Sequence, residues 1–103
     1  MDQLEELILQ EKAKIVCETA KAQWKELERF YTQSVLILVS ETLDLVEVGF
    51  AISSDNSEQV KQWLDKGLLL RSFDEQAIKW EKENTEVWTF VIRPWILVQG
   101  SKR

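Results

Sequence analysis

The chain has no histidine, one cysteine, one proline and three glycines in 103 residues, and each shortage closes off a class of chemistry. Without histidine there is no Ser-His-Asp or Cys-His nucleophile, and the commonest metal ligand is missing as well. Cys17 alone makes neither an internal disulfide nor a zinc or copper site within one chain. A lone thiol suits a reducing compartment, and Cys17 is read as a buried or inert helix side chain. Gly49, Gly67 and Gly100 have no spacing able to cradle a phosphate. No apolar run approaches the ~18–20 residues of a membrane span. The chain opens on Asp2, Glu5 and Glu6 rather than on a basic segment followed by an apolar one. Basic side chains are in deficit too: 13 Lys and Arg against 18 Asp and Glu leave a net charge of -5, which repels phosphate backbones. The expectation is a cytoplasmic protein with neither a membrane nor a nucleic-acid partner.

Against these shortages stand five Trp, four Phe and one Tyr, each able to bury on the order of 150–250 Å². One chain of this length holds one core, so residues 1–103 are read as a single domain whose interior is largely aromatic.

Residues 2 to 31 contain no Gly or Pro and are rich in Leu, Glu, Lys, Gln and Ala, the composition of one long helix or two abutting ones. On a 3.6-residue period Leu9, Ala13, Val16, Ala20, Leu27 and Tyr31 form one apolar stripe, with Trp24 and Cys17 beside it. Leu4, Leu7, Ile8 and Ile15 form a second. One stripe suffices to seat a helix on its own core, so the second asks for another surface, and two-fold self-association supplies one.

The stretch Val35 to Ile52 organises the rest. Val35 to Val39 is unbroken and apolar, as in a strand covered on both faces and flanked on both sides. Leu45 to Ser53 follows after a short polar connection, and the alternation of Val46, Val48, Phe50 and Ile52 predicts a second strand in an antiparallel hairpin. A short helix bearing Val60, Trp63 and Leu64 comes next, stopped by Gly67. Ser72 to Glu75 has the form of a capping box opening a third helix, with Phe73, Ala77 and Trp80 inward. Val87 to Ile92 is a third strand, limited by Pro94. The expected fold is α+β: helix, strand, strand, helix, helix, strand, with a small, mainly antiparallel three-stranded sheet ordered second, first, third.

Catalysis would fall to carboxylates, lysines and Tyr31. Asp44 and Glu47 lie on opposite faces of the expected strand and make a poor acid/base pair. A Mg²⁺ or Ca²⁺ site on Glu41 and Asp44 needs further converging oxygens, so this turn is read as hydrated, with no metal, no cofactor and no catalytic residue assigned. Glu47 is the only charge within the second strand, and Arg93 ends the third. Together with Trp95 they are the candidate binding residues, for an anion held by the guanidinium. The commoner fate of two such charges is solvent or a surface ion pair.

Several segments agree in order with a known family: Glu18-Thr19-Ala20-Lys21, Trp24-Lys25-Glu26-Leu27, Ser40, Leu43-Asp44-Leu45-Val46-Glu47-Val48, Val60, Trp63, Leu64, Gly67, Gln76, Trp80 and Pro94-Trp95-Ile96-Leu97-Val98-Gln99. Over most of residues 18 to 99 the chain resembles a domain-of-unknown-function family of small bacterial proteins, common in cyanobacteria. The resemblance implies a bacterial cytosolic protein and carries no activity. Two functions follow from the residues. One is a non-enzymatic module that forms a homodimer through Leu4, Leu7, Ile8 and Ile15 and engages other proteins. The other is a small-molecule binder or carboxylate-dependent enzyme built on Glu47 and Arg93.

Overall fold

A computed structural model describes residues 2–100. Its elements run α1 (Gln3–Glu18), β1 (Ala20–Gln23), α2 (Trp24–Thr32), β2 (Leu36–Val39), α3 (Leu45–Ser53), α4 (Ser57–Asp65), β3 (Leu69–Leu70), α5 (Asp74–Glu83), β4 (Glu86–Ile92) and β5 (Trp95–Gly100). The fold is α+β, but its sheet has five strands in the order β1-β4-β5-β2-β3, not three. It is mixed: β2 runs parallel to β5, and the other pairs are antiparallel.

The largest departure from expectation is Leu45–Ser53, which is a helix. Its buried residues are Leu45, Val48, Gly49 and Ala51, spaced three, one and two apart, as a helix face requires and a strand face forbids. The β-branched alternation fits a strand locally, but the face that tertiary packing needs falls on the other period. Asp44 starts the helix, its carboxylate accepting from the Val46 N–H at 2.9 Å, and Glu47 stands in the first turn, where an acid suits the dipole. The hairpin therefore does not exist.

The stretch expected as one long helix or two abutting ones is two helices with a strand between them. Thr19 turns extended, with φ -74° and ψ 131°, and its N–H and hydroxyl both donate to the Ile15 carbonyl, at 2.9 and 2.8 Å. Ala20–Gln23 then pairs antiparallel with β4. Neither composition nor a breaker residue marks this strand; it forms because the edge of β4 offers a row of unpaired backbone groups.

Elsewhere the expectations hold in part; the order second, first, third does not, because β5 lies between β2 and the third expected strand. Leu36, Ile37 and Val39 are buried and β2 has a neighbour on each side, though these are β5 and β3 rather than a hairpin partner. The third expected strand is β4, and the segment after Pro94 becomes β5, an inner strand pairing with β4 along its whole length. α5 begins one residue later than the capping box implies: Phe73 is the cap, and no Ser72–Glu75 box forms. Instead the Tyr31 hydroxyl accepts from the Phe73 N–H at 2.9 Å and donates to the Asp74 carboxylate, tying α2 to the start of α5.

Helices cover both faces of the sheet, giving two cores where chain length alone suggests one. On one face α1, α3 and α4 enclose Ile15, Ile37, Val39, Val48, Leu69, Phe90 and Leu97. On the other, α2 and α5 enclose Leu36, Val87 and Val98 with Trp24, Phe73 and Trp80. The half-buried Gln99 side chain ties the turn before α3 to β5, its Nε2 donating to the Ser40 and Leu43 carbonyls at 2.8 and 2.7 Å.

Gly67 stands just past α4 with φ +72°, in the left-handed region that side chains resist. A Cβ built there meets nothing within 4 Å, so only the backbone opposes substitution. Gly67→Ala is expected to cost on the order of 1 kcal/mol, read as a lowered urea midpoint at constant slope. An unchanged midpoint contradicts the capping role.

Candidate functional site

An apolar concavity lined by charged groups lies where α3, α4, β3 and the start of β5 meet. It has a volume of about 290 Å³. Ile37 and Leu69 come from the strands, Ala51 and Ile52 from the end of α3, and Val60 and Leu64 from α4. The sharp α3–α4 turn opens it: Asp55 adopts φ +59°, and Asn56 then caps α4, accepting from the Gln59 N–H at 3.3 Å. Asp55, Asn56, Ser57, Arg71 and Trp95 complete the lining.

Arg71 follows directly after β3. Its guanidinium lies 4.7 Å from the centre of the Trp95 ring, a cation–π contact, and one Nη donates a long hydrogen bond to the Ser34 carbonyl at 3.4 Å. Among the described residues the ion pairs are Lys12–Glu47 and Lys21–Glu86, so Arg71 has no carboxylate partner there.

Of the three binding candidates, Trp95 lines this cleft, whereas Glu47 and Arg93 are not among its lining residues. Glu47 projects from α3 toward α1 and pairs with Lys12 at 2.9 Å, with the side chains 50% and 30% exposed. The Lys12 ammonium also sits 5.3 Å from the Phe50 ring centre. This pair clamps α1 onto α3; at that exposure its net worth is small. Arg93 is exposed in the β4–β5 turn. Arg71 is the residue that the sequence reading passes over. Its only local signal is a single cation between Leu70 and Ser72.

The second feature is the outer surface of α1. Among its residues only Ile15 is buried, at 2% exposed. Ile8, on the same side, is half-buried. Leu4 and Leu7 are 66% and 61% exposed, and Leu9 and Val16 are also open to solvent. The row of Leu4, Leu7, Ile8 and Ile15 therefore divides: Ile15 belongs to this chain's own core, while Leu4 and Leu7 are uncovered. The stripe through Leu9 and Val16, expected to face the sheet, points outward instead. Cys17 is exposed, not buried.

A family model described as a protein of unknown function (DUF2288) matches residues 10–100. Among solved structures, the chain is similar to one described as the NMR solution structure of PA1075 from Pseudomonas aeruginosa. The identity is 33% and the TM-score 0.78, over 91% of this chain and 87% of that one. No curated protein matches.

Proposed function

The chain belongs to this family of proteins of unknown function, DUF2288, and from the uncovered part of its first helix we propose that it is a non-enzymatic interaction module of the cytoplasm that self-associates through α1. One observation carries the reading. A single stripe of α1 passes from Ile15, 2% exposed in the core, through half-buried Ile8 to Leu4, 66% exposed. Leu7, 61% exposed, lies beside it. The stripe keeps its apolar character for about one turn beyond half-buried Ile8. An isolated helix of such length is marginal in water and gains most of its stability from a packed face.

A second copy related by a two-fold axis brings the same row to meet itself. Each of Leu4, Leu7 and Ile8, once buried, contributes roughly 1.5–3 kcal/mol. Three such side chains per copy are of the same order as the roughly 4–15 kcal/mol that association costs, which gives a reversible dimer rather than an obligate one. Sedimentation equilibrium at micromolar concentration is expected to find dimer, and Leu4→Asp with Leu7→Asp to leave a monomer with unchanged circular dichroism. A monomeric native protein, or a dimer indifferent to both changes, refutes the assignment. Ile15→Asp is no test of it, because that substitution places a charge in the core.

A further inference from the structure

We propose that the cleft between α3, α4 and β5 binds a small amphipathic monocarboxylate, the apolar body lying against Ile52, Val60 and Leu64 and the carboxylate on Arg71. This site is separate from α1 and does not depend on self-association.

The walls set the first half of the ligand's chemistry. A volume of about 290 Å³ is at the lower end of the range for small-molecule sites, and an apolar lining with few polar groups is their usual make-up. The single cation at the mouth sets the second half. Among the described residues the ion pairs are those of Lys12 and Lys21, so Arg71 shares its lack of a carboxylate with most cations of this chain; what sets it apart is that it is the cation lining the apolar cleft. Its guanidinium is held instead by the Trp95 ring at 4.7 Å and the Ser34 carbonyl at 3.4 Å. A guanidinium stacked and tethered in this way has lost much of its rotamer freedom while keeping most of its five N–H donors, whose planar fork matches a carboxylate. Because Arg71 is exposed, water screens its charge: the apolar body supplies most of the affinity, and the guanidinium selects the head group. Asp55 lines the same cleft and repels a carboxylate bound there, which makes it the internal control.

The probe is octanoate, titrated into the ¹⁵N-labelled full chain, with octan-1-ol and octylamine as its neutral and cationic counterparts. Octanoate is expected to shift the Ile52, Val60, Leu64 and Leu69 amides and the Trp95 indole N–H, binding about threefold tighter than the alcohol, the scale of a solvent-screened charge pair. Arg71→Gln should remove that preference, Arg71→Lys should keep part of it, and Asp55→Asn should strengthen octanoate binding. The spectra themselves report whether each variant is folded. Equal binding of alcohol and acid, tighter binding of the amine, shifts centred on Leu4 and Leu7 instead of the cleft, or an octanoate affinity unchanged in Arg71→Gln each overturns the proposal.

Discussion

Trp24→Ala is expected to lower stability by about 3–5 kcal/mol, the range for an aromatic side chain removed from a packed interior. Trp24 is 2% exposed and opens α2 directly after β1, its N–H donating to the Thr85 carbonyl at 2.8 Å. Its ring is the hub of one core: the centroids of Tyr31, Phe73 and Trp80 lie 5.9, 6.0 and 5.3 Å away, all inclined. Aromatic pairs at such distances and inclinations add about 0.5–1.5 kcal/mol beyond their buried area. Truncation would deprive three rings of a neighbour at once, and those rings come from α2, the start of α5 and its middle, so no single element can move to fill the space. For a domain with a total stability of about 5–15 kcal/mol, such a loss approaches the limit of folding. Trp24→Phe retains most of the contacts and is expected to cost less than half as much. The check is the urea midpoint at constant slope; a loss under about 1 kcal/mol for Trp24→Ala would mean that the cluster is not a closed core.

The distribution of what the sequence discloses follows from where the determining forces act. Val35 to Val39 is legible because burial on both faces leaves no polar position in it. Gly67 is legible because the requirement it meets is a backbone angle, written in a single residue. Leu45 to Ser53 is ambiguous by pattern, since Leu45, Val48 and Ile52 satisfy a helix while Val46, Val48, Phe50 and Ile52 satisfy a strand. The deciding mark is local and small: Asp44, three residues before Glu47, with the form of a helix start. Ala20 to Gln23 carries no such mark. Its conformation is imposed by β4, from a distance of more than sixty residues along the chain.

The candidate sites divide in the same way. Trp95 is visible as an aromatic in an apolar tail, and the uncovered Leu4 and Leu7 are visible as surplus on a helix. Arg71 is not visible, because its meaning lies in the meeting of the end of β3 with the start of β5 across a sheet whose order reads β5-β2-β3. The pairing of Glu47 with Arg93 fails for a related reason. Once residues 45–53 coil into α3, Glu47 turns toward Lys12 on α1, at 2.9 Å, and the guanidinium that reaches the cleft is the one two residues after Leu69.

Gly49→Val is expected to destabilise by about 3 kcal/mol, and Gly49→Ala by about 1 kcal/mol, although both replace the poorest non-proline helix former. Gly49 is buried in the middle of α3, where a Cβ would come within 3.0 Å of two carbons of the Phe90 ring and 3.3 Å of the Ile15 side chain. Phe90 is 4% exposed and Ile15 2%, one on β4 and the other on α1, so neither can swing into solvent to make room. The glycine is thus the point at which α1, α3 and the sheet come together. Two opposing terms decide the sign: Gly to Ala gains roughly 1 kcal/mol of helix propensity, and overpacking a closed core costs typically 1–3 kcal/mol. The close approach should prevail while the ring is present and lose once it is trimmed. In a Phe90→Leu background, itself destabilised, Gly49→Ala should therefore turn from harmful to stabilising, a coupling that a double-mutant cycle of urea midpoints measures directly. If Gly49→Ala stabilises the native chain, or if its effect is the same with and without the Phe90 ring, the packing of α3 on the sheet does not depend on the missing side chain.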